Sequence, residues 1–186
     1  MAHGLLIEAQ IAADNIDALN RHAVSATADF DGGNLVELAP PTAVGHDEWT
    51  AKVPTVATGL YIAYPAQQRF IKVGDRKFAG LTVDEREYTN LQGDLFNVFK
   101  PKVGDEISVS IDNLDADSQA LLASIESGDI LEAKAGQKTF TRVAKATGAT
   151  ADTLAFEIEY IHYEEFPKAG IGFEKVPFFR AVCIAE

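Results

Sequence analysis

The sequence predicts a mainly β protein: a β-barrel or β-sandwich body with one short helix and an N-terminal arm. Three observations carry this expectation. Glu106-Ile107-Ser108-Val109-Ser110-Ile111 alternates polar and apolar residues, and Leu154, Phe156, Ile158 and Tyr160 alternate with Thr153, Ala155, Glu157 and Glu159. A period of two marks a strand with one wet face. Val176 to Ile184 is nearly continuous apolar sequence, the pattern of a strand covered on both sides. Gly-Asp pairs stand at Gly74-Asp75, Gly93-Asp94, Gly104-Asp105 and Gly128-Asp129. Glycine reaches positive φ at little cost and aspartate bonds its own backbone, so each pair predicts a turn. Their uneven spacing argues against a repeat array.

From Met1 to about Val24 the pattern is mixed. Leu5, Leu6, Ile7, Ile11, Ile16 and Leu19 are apolar, but Asp14, Asn15, Asp17 and Asn20 compete for the backbone a helix needs. Two readings stand: a short helix or edge strand on the core, or an arm that orders on a partner. The second divides the chain into an arm, 1–24, and a β-rich body, 25–186, with Leu5, Leu6, Ile7 and Ile11 as docking residues. Fully extended, about 20 residues reach roughly 70 Å.

Within the body, Asp31-Gly32-Gly33-Asn34 predicts a turn into a strand at Leu35-Val36-Glu37-Leu38, which Pro40-Pro41 ends. Further strands are expected at Glu48 to Val53 and Leu60 to Tyr64. Phe70 to Phe78 reads as a hairpin with a two-residue turn. Around it Arg69, Lys72, Arg76 and Lys77 oppose the charge of the rest of the chain. They form either an ordinary solvated hairpin or a contact patch for an acidic protein surface. Lys100-Pro101-Lys102 suggests a subdomain seam near 100–103. The one helix is expected over Ser118 to Ser127, capped by Asp117 or Ser118, with Gly128 just past its end.

Composition narrows the function. The 186 residues carry 28 acidic and 16 basic side chains, a net charge of −12. That balance repels phosphate, so neither nucleic acid nor an anionic membrane is expected as a partner. It also keeps crowded copies in solution. No Lys or Arg precedes Arg21, and Glu8 and Asp14 interrupt the apolar stretch a signal peptide needs, so a soluble intracellular product is expected. The lone cysteine, Cys183, lies in an apolar run and reads as a buried, inert thiol.

The motifs of chemistry are weak. Gly170-Ile171-Gly172 lacks the third glycine of a dinucleotide loop and opens no helix. His3, His22, His46 and His162 are scattered; His162 and Glu164 share a strand face but make only two ligands. Glu157 and Glu159 lie on a polar strand face, without the burial that turns a carboxyl into a general acid. Asp115-Ala116-Asp117-Ser118-Gln119 with Glu126 partly copies a calcium loop but lacks its glycine; a helix cap explains the same acids. No catalytic centre, metal or cofactor is expected.

The order of several segments resembles the capsid decoration proteins of tailed phages, also called cement or head auxiliary proteins. Gly4-Leu5-Leu6-Ile7-Glu8-Ala9 leads into Asp29-Phe30-Asp31-Gly32-Gly33-Asn34-Leu35-Val36. Trp49-Thr50-Ala51, Leu60-Tyr61-Ile62-Ala63-Tyr64 and Leu81-Thr82-Val83-Asp84-Glu85-Arg86 follow, then Phe99-Lys100-Pro101-Lys102-Val103-Gly104-Asp105. The resemblance spans about two thirds of the chain. It implies a structural virion protein, made in the host bacterial cytoplasm, that binds the major capsid protein on the shell exterior and stabilises the head, with copies associating there. The family carries no catalytic residues. A different class also fits: a small β-barrel that binds a ligand or assists an enzyme, its pocket lined by Tyr61, Tyr64, Phe156 and Tyr160.

Overall fold

Gly104 shows how the turn signals work. It sits at φ +95°, and its amide donates to the Cys183 carbonyl at 2.9 Å. The Asp105 carboxylate reaches back to accept from the Lys102 amide at 2.8 Å. A computed structural model of the chain describes residues 3–41, 48–66, 70–73, 76–79, 86, 88–167 and 172–186. The Gly74-Asp75 turn lies outside the described residues.

The strands in chain order are Leu6–Gln10 (β1), Asn20–Ser25 (β2), Leu35–Ala39 (β3), Trp49–Lys52 (β4), Tyr61–Ala63 (β5), Phe70–Val73 (β6) and Arg76–Ala79 (β7). They continue with Leu95–Phe99 (β8), Glu106–Ser110 (β9), Ile130–Glu132 (β10), Thr141–Val143 (β11), Ala155–Pro167 (β12) and Phe173–Ala185 (β13). β2, β4, β3, β5 and β8 close a five-stranded barrel; β1, β9, β13, β12, β10 and β11 form a six-stranded sheet in that order; β6 and β7 pair alone. The expected mainly β body is therefore what the chain builds. Among the described strands every pairing is antiparallel except β2 with β4.

Alternation along the barrel strands shares their side chains between two cores. Val36, Ala63 and Val98 point inward with Ala23, Phe30, Ala51 and Phe96 and fill the barrel, as side chains fill any small barrel. Leu35, Ile62 and Phe99 point outward and join Ile107, Val109, Phe156 and Phe179 of the sheet. The seam at 100–103 thus links barrel to sheet, but one apolar core runs across it.

Of the two readings of the N-terminal segment, the edge strand on the core is the one the chain builds, and the arm is corrected. Residues 3–24 are not a separate arm: β1 pairs with β9, and β2 is a barrel stave between β4 and β8. The polar residues that spoil a helix here serve two short 3-10 turns, Ala12–Asp14 and Asp17–Leu19. The Asn20 amide donates to the Ala13 carbonyl at 2.8 Å, while its oxygen accepts from the Tyr64 hydroxyl at 2.9 Å.

Three smaller expectations also change. β9 is not wet at Ser108 and Ser110, which are buried; the Ser110 hydroxyl accepts from the Leu5 amide at 2.9 Å. The helix (α1) spans Ala116–Ala120, shorter and earlier than expected. Its cap is Asp115, whose carboxylate accepts from the Ser118 amide at 2.8 Å. Finally, Tyr160 is not on the buried face of β12. The pairing passes from Ile158↔Ala181 to Tyr160↔Arg180, leaving Glu159 as an extra residue. Such a bulge reverses which side chains face the core. Phe156 and Ile158 are buried, Tyr160 is exposed, and Ile161 takes the inward place.

Among the described residues, no helix is long and apolar enough to cross a membrane.

Candidate interaction site

Of the expected docking residues, Leu6 and Ile11 belong to the main core, and Leu5 is buried with Val176 and Phe178. They serve this chain's own fold, so their role as free docking residues is corrected. Ile7, facing away from Leu6, stays 42% exposed. In the basic run, β6 and β7 pair with Val73 opposite Arg76 and Lys72 opposite Lys77. That is the register of the expected two-residue hairpin. Arg69, and the side chains of Lys72, Arg76 and Lys77, lie outside the described residues.

Where β1 enters the sheet, a polar joint ties it to the barrel. The Asn113 amide donates to the Leu5 carbonyl at 2.7 Å, and its oxygen accepts from the Asn34 amide at 3.2 Å. Asn34 in turn accepts from the Asp31 backbone amide at 3.0 Å. The Asp31 carboxylate accepts from the Gly4 amide at 3.2 Å and lies 2.8 Å from His3 Nδ1. That contact raises the His3 pKa above its ordinary value, against a smaller opposing effect of burial. For Asp31, burial pushes the pKa up, but the bonds from His3 and the Gly4 amide help bring it below the ordinary value. Burial holds the nearby Asp112 carboxyl above its ordinary value despite the Arg86 charge. A cleft of about 180 Å³ opens beside the joint, lined by Gly4, Leu5, Ile7, Pro65, Tyr88 and Phe166 among others.

From this joint the β12–β13 pair runs on past its neighbours. β10 reaches β12 only over Ala155, Phe156 and Glu157, and β9 reaches β13 only over Phe178 to Val182. Beyond these, Tyr163–Pro167 and Phe173–Pro177 have strand partners only in each other among the described residues, while Tyr160, Ile161 and His162 pair with Arg180, Phe179 and Phe178, which also meet β9. The result is a ribbon whose two-stranded end is about 17 Å long. Isolated two-stranded ribbons are marginal in water, and this one is fastened on one face. Phe166 and His162 stack on buried Phe178. The Arg86 guanidinium lies 5.1 Å from the Phe166 ring and 3.1 Å from the Glu174 carboxylate. The opposite face carries Tyr163 and Phe173, 60% and 71% exposed, and Tyr160 is 52% exposed near the base.

The ribbon is also acidic. Glu159, Glu164, Glu165 and Glu174 stand against Lys175 and Arg180. Arg180 is already engaged by Glu106 and lies 3.9 Å from Glu159; Lys175 lies 3.6 Å from Glu165. The sequence shows these residues, but not that neighbouring strands stop short and leave them uncovered. The uninterrupted length of both strands is the one signal that points to it.

The four aromatic residues of the alternative pocket do not meet. Tyr61 packs on the barrel core, Tyr64 lies 5.0 Å from Phe99, Phe156 meets Phe140 edge-on, and Tyr160 is on the surface. Burial, with the nearby Asp105 charge, pushes the Cys183 thiol up to about 12, so it stays protonated near neutral pH. Comparison with family models, curated proteins and solved structures finds no match to this chain.

Proposed function

We propose that this chain is a non-enzymatic structural protein that binds the outer surface of a tailed-phage capsid and stabilises the head. The observation that carries the reading is the ribbon. It places exposed aromatic rings and carboxylates on a fastened support, where among the described residues part of two long strands has no further strand neighbour. Exposed aromatic residues of this kind suit a protein contact. The resemblance of the segment order to decoration proteins supplies the partner, the major capsid protein. The resembling segments Gly4 to Ala9 and Asp29 to Val36 meet at the Asn113 joint, which holds the base of the ribbon. Repetition over a closed shell strengthens a modest contact through avidity, with copies at repeating positions. The basic run at Arg69, Lys72, Arg76 and Lys77 is a second proposed contact, for an acidic protein surface.

The experiment mixes purified full-length chain with empty shells of the major capsid protein encoded nearest this reading frame. Sedimented shells should carry the protein at a saturating, symmetric stoichiometry and should resist heat better than bare shells. Protein that stays in the supernatant with every such shell contradicts the reading.

A further inference from the structure

The ribbon's two outer edges differ. Along β13, beyond the reach of β9, the edge contains Pro177, which has no amide hydrogen to offer a new strand. Along β12, beyond the reach of β10, the edge from Glu159 to Phe166 contains no proline. Its peptide groups alternate, one set bonding β13 and the other facing away. No described strand lies beside that second set. An open edge of this length is a template for strand addition, in which main-chain bonds give affinity and side chains give specificity.

The side chains along this edge decide what can lie there. Glu159, Glu164 and Glu165 are about half exposed. Opposite charges across a strand pair stabilise it and like charges destabilise it. The same carboxylates deter a second copy of the acidic edge and favour a basic strand. Tyr160 and Tyr163, on opposite faces after the bulge, offer ring surface to the side chains of an added strand.

We propose that the outer edge of β12, from Glu159 to Phe166, takes an extended lysine- or arginine-bearing segment of the major capsid protein as an added antiparallel or parallel strand. This rests on the capsid-binding reading and names its contact. The ribbon is then the docking element, and the barrel projects away from the shell. The charged contacts set the association rate and its salt dependence, while the backbone ladder sets residence time.

The test uses full-length protein and the same empty shells. Glu164→Lys with Glu165→Lys should weaken shell binding about tenfold or more at low salt. Asp14→Lys with Glu126→Lys, an equal change of charge at exposed sites off the ribbon, should weaken it less than about twofold. Both variants should keep the wild-type melting temperature within about 2 °C, so that lost binding is not lost folding. Amide hydrogen exchange on saturated shells should slow across Glu159 to Phe166. Equal weakening by the two variants, or wild-type binding by the ribbon variant, overturns the proposed contact and leaves capsid binding standing. So does unslowed exchange in that strand while the protein is bound. Failure of the wild-type chain to bind any shell overturns both.

Discussion

Asn113 and Gly4 are packed so closely that a methyl group on Gly4 would sit 2.2 Å from Asn113 Oδ1. The contact lies at the centre of the joint between β1 and the barrel turn, where Asn113 is fully buried. Asn113→Ala leaves the Asn34 amide without this acceptor and should cost about 1–3 kcal/mol. Gly4→Ala, which forces Asn113 or the strand to move, should cost about 1–3 kcal/mol. The double substitution should cost less than the sum, because removing the amide makes room for the methyl. Urea unfolding of the three variants measures this.

Stability should vary with pH through the same joint. His3 has a raised pKa, so its contribution is complete below its ordinary value of 6.5 and is lost as pH climbs through the raised value. Asp31 has a lowered pKa, so its contribution is present above 3.8 and is lost as pH falls through the depressed value. Asp112, shifted upward, gains on acidification and offsets part of that loss. The difference in unfolding free energy between wild type and His3→Ala should therefore be greatest between 3.8 and 6.5. It should stay under about 1 kcal/mol, because the pair is partly exposed and screened. Denaturant midpoints at half-unit pH steps check the shape.

The bulge at Glu159 makes a sharp contrast along β12. Phe156→Ala empties a fully buried aromatic site and should cost about 3–5 kcal/mol. Glu157→Ala should stay within about 0.5 kcal/mol. Tyr160→Ala should be nearer the second than the first, although simple alternation groups Tyr160 with Phe156. Thermal unfolding of the three variants ranks them.

Cys183 is buried with its thiol held protonated. A thiol-specific alkylating reagent at pH 8 should leave the native chain unmodified and label it fully in denaturant, because the thiolate is the reactive form. Intact-mass measurement shows either outcome.

These contrasts show what the sequence makes legible. Local chemistry reads well: the glycine turns before β9 and β10, the apolar run of β13 and the hairpin register of β6 with β7 all follow from near neighbours. What fails depends on distant partners. Ser110 looks solvent-facing, but the Leu5 amide, about a hundred residues earlier, donates to its hydroxyl, and Leu5 packs with Phe178. Leu5, Leu6 and Ile11 look like free docking residues for the same reason. The exposure of Tyr163 and Phe173 follows from where β9 and β10 stop, which no local pattern encodes.

The most direct test of the central claim is electron cryo-microscopy of capsid shells saturated with the full-length chain. The account predicts ordered extra density at symmetry-related positions on the outer surface, with the β12–β13 ribbon against the shell and the barrel outward. Shells indistinguishable from bare ones, at concentrations where the protein remains folded, would contradict it.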